Sequence, residues 1–159
     1  MSKTALVNSV REHIRGRAYD QVWCVFDLDI DAQVTGQNED FNRAIGLAQH
    51  LGYRCAYSND SFELWFALHY QYLDQEQHRQ YYFRFLSERW GIDYTREGKK
   101  LSFARSIYLR LRQDGANQAL ATRHAEKLWI EKKDQAFHRQ NPTTTVFQLV
   151  KELNKYCRK

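Results

Sequence analysis

The stretch Val22-Trp23-Cys24-Val25-Phe26-Asp27-Leu28-Asp29-Ile30-Asp31 decides how the rest of the chain is read. Val22 to Phe26 is a short, continuous apolar run rich in β-branched and aromatic residues, bounded by Asp20 and Asp27. Such a run reads as a strand buried on both faces. Directly after it come three aspartates in alternation. Side chains along an extended segment alternate with period two, so Asp27 and Asp29 are expected on one side. Hard oxygen ligands of this kind suit Mg²⁺ or Mn²⁺, and Asp31 is a third candidate. Like charges this close repel one another, and a cation would relieve that repulsion. The competing reading is a polar loop whose aspartates face water or cap the next helix.

Working outward, Leu6, Val7, Val10 and Ile14 recur at helical spacing over residues 3–15, with Gly16 at the end. Residues 31–38 read as a loop. Phe41, Ala44, Ile45, Leu47, Ala48 and Leu51 mark an amphipathic helix over 39–51, closed by Gly52. Tyr53 to Tyr57 reads as a second strand. Strand, helix and strand in this order form a βαβ unit with a right-handed crossover. Ligands in such sheets sit beyond the carboxyl ends of the strands. There Asp27, Asp29 and Asp31 should face Ser58-Asn59-Asp60-Ser61. The remainder reads as helices over 61–70, 75–90, 102–113 and 116–138. A last helix opens at Asn141-Pro142, with Asn as N-cap and Pro at the first helical position. Two parallel strands make a poor sheet, so a strand is either hidden or lacking.

Glu63 lies one turn into the helix after the second strand, within reach of the same crevice as a ligand or general base. Equally, it complements the positive start of that helix. Asn59 and Ser61 could hydrogen-bond a phosphate, or Ser61 could cap the helix. His69 follows an apolar stretch, where a histidine is more often structural than catalytic. The six histidines show no HxH or HExxH spacing, which argues against a zinc hydrolase. No phosphate-binding glycine loop and no GxSxG motif occur. Cys24, Cys55 and Cys157 are far apart, and the first two sit in apolar runs as small hydrophobes, so neither zinc nor a disulfide is expected.

With 159 residues, 43% of them hydrophobic, the chain is expected to be one soluble domain. It shows no membrane span and no signal-peptide core, and a cytoplasmic location is expected. The net charge of +5 is unevenly placed. Residues 1–95 carry 9 Lys/Arg against 13 Asp/Glu, and residues 96–159 carry 15 against 6. An acidic part followed by a basic part suits a metal site beside a polyanion-binding surface. Lys99, Lys100, Arg105 and Arg112, with Tyr108 between them for base stacking, are the candidate substrate contacts. Solvated helix faces would produce the same counts.

Two strings carry a resemblance. Val22-Trp23-Cys24-Val25-Phe26-Asp27-x-Asp29, followed by Ala56-Tyr57-Ser58-Asn59-x-Ser61-Phe62-Glu63-Leu64-Trp65-Phe66-x-Leu68-His69-Tyr70, resembles the RloB family. The ending Asn141-Pro142-Thr143-Thr144-Thr145-Val146 with Leu149-Val150 looks like that family's last helix, so the resemblance covers roughly residues 5–155. The family includes AbiL-type phage-abortive proteins, is regarded as Toprim-related, and is usually encoded beside an AAA/ABC-type ATPase in defence islands. The resemblance implies an α/β, Toprim-like small parallel sheet over residues 1–70 and a helical, basic part over 71–159, in a single domain. It also implies a divalent-metal-dependent nuclease acting on DNA or tRNA, with Asp27 and Asp29 matching the DxD and Glu63 and His69 at positions typical of the family. Two departures stand out. The family commonly has proline where this chain has Asp60. Its opening strand with an EGxxTE-like motif has no match here, so the expectation is a chain that starts late or a short form without the first catalytic glutamate. A non-catalytic module docking on an ATPase, or a nucleic-acid-binding domain without hydrolysis, remains the alternative.

Overall fold

A computed structural model describes residues 2–157. Its architecture is mixed α/β, with a small three-stranded sheet and eight α-helices among the described residues. Helix α1 (Lys3–His13) starts at Ser2, whose Oγ accepts the Ala5 N–H at 3.1 Å. It is pinned to helix α2 (Gln37–His50) by Asp40, whose carboxylate accepts the Lys3 and Thr4 N–H groups at 2.7 and 3.2 Å. Strands β1 (Trp23–Asp27) and β2 (Arg54–Asn59) flank α2 in the chain and pair in parallel, with Cys24 opposite Cys55 and Asp27 opposite Ser58. The expected βαβ unit is therefore present.

One face of the sheet is covered by α1 and α2. Val7, Cys24, Leu28, Ile45 and Tyr57 pack there around Phe41, whose ring meets Phe26 and Tyr57 edge-on at 5.9 and 5.7 Å. Phe41 is wholly buried. Phe41→Ala is expected to cost about 3–5 kcal/mol through lost burial and the cavity left behind, read as a lower urea midpoint. The opposite face is covered by α3 (Glu63–Ala67), α7 (Gln118–Lys132) and α8 (Val146–Asn154), through Leu64, Leu68, Leu128 and Phe147. A third cluster joins α4 (Arg79–Trp90), α5 (Tyr94–Glu97) and α6 (Leu101–Gln113) through Leu86, Trp90, Tyr94 and Phe103. No helix among the described residues is long and apolar enough to cross a membrane.

The structure departs from the sequence expectations at several elements, and the helix expected over 75–90 begins only at Arg79. The hidden strand is β3 (Thr143–Thr144), antiparallel to β2, with Thr144 opposite Ser58 and Thr143 opposite Asn59. Pro142 thus leads into a strand, through a cis Asn141–Pro142 peptide, and α8 starts only at Val146. β1 is an edge strand and is not buried on both faces: Val25 is 46% exposed, because α3, α7 and α8 pack on β2 and β3. The helix expected over 61–70 is regular only from Glu63 to Ala67, ending in single turns. The one expected over 116–138 stops at Lys132, and a 3-10 turn follows at Phe137–Arg139.

Candidate metal centre

Beyond the carboxyl ends of β1 and β2 the two exit segments are stitched together. Leu28 donates its N–H to Ser58 C=O at 2.9 Å and Asp29 donates to Asp60 C=O at 2.8 Å. The Asp60 carboxylate, 2% exposed, accepts the Ile30 N–H at 3.0 Å and the Arg79 N–H at 3.1 Å. Asp60 therefore ties the aspartate loop, the exit of β2 and the first residue of α4 into one unit. The two loops do face each other, as strand order requires.

Asp27 closes β1, and its Oδ2 accepts the Phe62 N–H at 3.2 Å, just before α3. Burial pushes its carboxyl above the usual aspartate range. The Phe62 N–H pulls the other way, and the negative Glu63 pushes it further up. Asp27 and Glu63 are thus neighbours sharing a poorly solvated corner. Glu63 Oε1 accepts the Tyr94 hydroxyl at 3.0 Å. Burial and the Glu63 charge hold the Tyr94 phenol far above its ordinary range, so it remains a donor. Tyr94 is seated against Gly98: a Cβ at Gly98 would lie 2.7 Å from the Tyr94 ring and 2.8 Å from its carbonyl oxygen.

The other predicted residues take different places. The strand ends at Asp27, Leu28 turns into the core, and Asp29 adopts the left-handed region (φ 51°). Its carboxylate leaves the side expected from period-two alternation and forms an ion pair with Arg79. Asp31 is exposed and accepts the Gln33 N–H at 2.9 Å, a local turn bond. Among the described residues no three His, Cys, Asp or Glu side chains gather in a metal-ligating group. Asn59 is buried and donates to the carbonyls of Phe137 and His138 at 3.0 and 2.9 Å. Ser61 lies beside the site with its hydroxyl buried and unpartnered. His69 is buried, and its Nδ1 donates to Trp65 C=O at 2.9 Å; burial holds its pKa down, so it is neutral near pH 7. His69 and Arg112 do share a cavity of about 210 Å³, with Trp65 and Tyr108. Lys99 and Arg105 are exposed, whereas Lys100 is spent on Glu97 at 2.8 Å.

The sequence matches the family of RloB-like proteins over residues 2–153. The chain belongs to the RloB-like family. No curated protein and no solved structure matches it.

In this RloB-like chain the residues present fit a hard divalent cation of modest demands. Mg²⁺ commonly takes one or two carboxylates and keeps several waters, and Asp27 and Glu63 form such a pair. Burial, and after it the Glu63 charge, raise the Asp27 pKa, and a cation held between the two carboxylates would offset both effects. The sequence places Asp60 in the facing loop but not as its anchor, and it does not single out Arg79, Tyr94 and Gly98, which act across the fold. Gly98 reads in the sequence only as a break between helices. Tyr94→Phe removes the hydroxyl that orients Glu63 and should weaken Mn²⁺ binding about tenfold, as loss of a ligand's hydrogen-bond partner does. Gly98→Val, which drives a side chain into the Tyr94 ring, should weaken it at least as much. Calorimetric titration with Mn²⁺ checks both, and wild-type affinity in both would remove Tyr94 from the site.

Proposed function

We propose that this RloB-like chain is a divalent-metal-dependent nuclease component of an antiphage, abortive-infection type system, with Asp27 and Glu63 as its acidic centre. The observation that carries the reading is the desolvated Asp27 carboxylate held beside Glu63 at the carboxyl ends of two parallel strands. When bound, Mg²⁺ or Mn²⁺ would supply Lewis-acid polarisation of a phosphodiester and a more acidic water. The chain's own groups do the rest. Phe62 N–H fixes Asp27 and Tyr94 O–H orients Glu63, while Arg79, 26% exposed and paired with Asp29, would have to exchange that carboxylate to meet a phosphate oxygen. Exposed Lys99, Arg105 and Arg112, the last 5.9 Å from the exposed Tyr108 ring, supply a surface for a nucleic-acid backbone and an unstacked base. The Toprim-like assignment, the cytoplasmic location and an AAA/ABC-type ATPase partner belong to this proposal and rest on the family resemblance.

The test is cleavage of end-labelled tRNA, single-stranded RNA and duplex DNA with Mg²⁺, Mn²⁺ or EDTA, with and without the neighbouring ATPase. Metal-dependent cleavage of one substrate is expected; none with any would overturn the reading. Because Asp27 must be ionised to work and its pKa is raised, activity should fall away on acidification at a pH above the 3.8 of an ordinary aspartate. More metal should move that acid limb down, since cation and proton compete for one carboxylate.

A second reading has its own support. Arg79 occupies Asp29, and β1 leaves one edge and Val25 uncovered. A chain of this shape could serve instead as a non-catalytic module on an ATPase. Absence of Mn²⁺ binding together with a stable ATPase complex would favour that reading.

A further inference from the structure

The site above uses one end of the sheet and leaves a larger cavity unexplained. β3 spans only two residues and pairs with Ser58 and Asn59, so the first half of β2 is uncovered on that side. Thr145 partly closes the gap. Its hydroxyl accepts the Tyr57 N–H at 2.9 Å and donates to Cys55 C=O at 3.2 Å, and its own N–H donates to Tyr57 C=O at 2.8 Å. Beyond it lies a cavity of about 440 Å³, within the range of small-molecule sites. Tyr53, Tyr57, Phe137 and Trp129 line it, with Arg54 and Lys133 beside them, and no carboxylate does.

Four aromatic rings and two cations, with no carboxylate in the lining, are the complement of a planar, anionic ligand. We propose that this cavity binds a mononucleotide, its base against the aromatic walls and its phosphate at Lys133 and Arg54. Gln49 and Gln148 also line the cavity and provide amide donors and acceptors for a base edge. The walls are held before any ligand arrives. Tyr57 O–H donates to Gln140 at 2.7 Å, Gln140 donates to Gln135 C=O at 2.8 Å, and Asn59 holds the Phe137 carbonyl at 3.0 Å. The Phe137 ring meets Tyr57 edge-on at 5.6 Å. Such preorganisation reduces the ordering cost of binding. Lys133 rests 5.6 Å from the Trp129 ring and forms no ion pair among the described residues, so it is available to a phosphate. Arg54 is already shared with Glu152 at 3.7 Å and contributes less.

The experiment is calorimetric titration of the full chain with AMP, GMP, CMP and UMP in EDTA, which silences the metal centre. At least one should bind, with its nucleoside and inorganic phosphate each at least about tenfold weaker. Lys133→Ala should weaken that nucleotide about tenfold, the loss of one charge-assisted contact worth roughly 1.4 kcal/mol. Trp129→Leu should weaken it further, while Asp27→Asn leaves it unchanged. Should Trp129→Leu fail to fold, Lys133→Glu on an exposed side chain decides. No binding at millimolar nucleotide, or full binding by a folded Lys133→Glu, would overturn the proposal without touching the nuclease reading.

Discussion

Asp27→Asn is expected to separate function from stability: metal-dependent cleavage falls at least roughly 100-fold, while the melting temperature in EDTA at pH 7 rises. Both effects come from one carboxylate. Asn keeps an oxygen that can accept the Phe62 N–H, 3.2 Å away in the wild type, so the join between β1 and α3 survives. What disappears is a negative charge in a poorly solvated corner next to Glu63. The sign follows from linkage. Asp27's folded pKa lies above its unfolded value of about 3.8, so the folded state holds the proton more tightly. Its contribution to stability is full below 3.8 and is lost as pH rises through the raised folded value. The Asn variant never carries the charge, so its advantage appears above that window and vanishes at the acid end. Mg²⁺ should reverse the order of the melts, raising the wild type and leaving the variant unmoved. Melts with and without Mg²⁺ at pH 3.5 and 7 check all of this. A variant that melts lower at neutral pH in EDTA, or that still responds to Mg²⁺, would take Asp27 out of the proposed metal centre.

The same corner shows which parts of the molecule were legible in the chain. β1, α2 and β2 announce themselves locally: a continuous apolar run, a helical stripe centred on Phe41 and Ile45, and a second run from Tyr53 to Tyr57, which the strand extends to Asn59. Strand order alone then places the aspartate loop opposite Asp60. The course of the aspartates within that loop was not legible, because alternation holds only while the chain is extended and Asp29 sits at positive φ. Nor was β3. Two threonines after Pro142 carry no period, and they become a strand only because Ser58 and Asn59 lie beside them. Arg79 on Asp29, Tyr94 on Glu63 and Asn59 under Phe137 are contacts between residues dozens of positions apart. Residue types nominate such partners, and tertiary packing chooses among them.

Asp60→Ala should be the most disruptive single change at the site, although Asp60 is not a member of the acidic pair. Its two oxygens accept the Ile30 and Arg79 N–H groups, at 3.0 and 3.1 Å, from inside the fold. Alanine cannot replace either bond; Arg79 is partly buried, whereas Ile30 is 37% exposed. Each orphaned donor costs roughly 1–3 kcal/mol, which bounds the loss at about 2–6 kcal/mol, towards the lower end because Ile30 is open to water. Urea unfolding should show it as a lower midpoint at unchanged slope. Mn²⁺ binding should go as well, because the loop that follows Asp27 is then no longer anchored to the exit of β2. Two controls separate this from a simple loss of charge. Asp60→Asn retains one acceptor oxygen and should recover about half of the stability. Arg79→Ala keeps its backbone N–H on Asp60 and removes only the half-exposed ion pair to Asp29, worth under about 1 kcal/mol. If Arg79→Ala destabilised the protein as much as Asp60→Ala, the Arg79 side chain and not the Asp60 carboxylate would be what holds the two loops together.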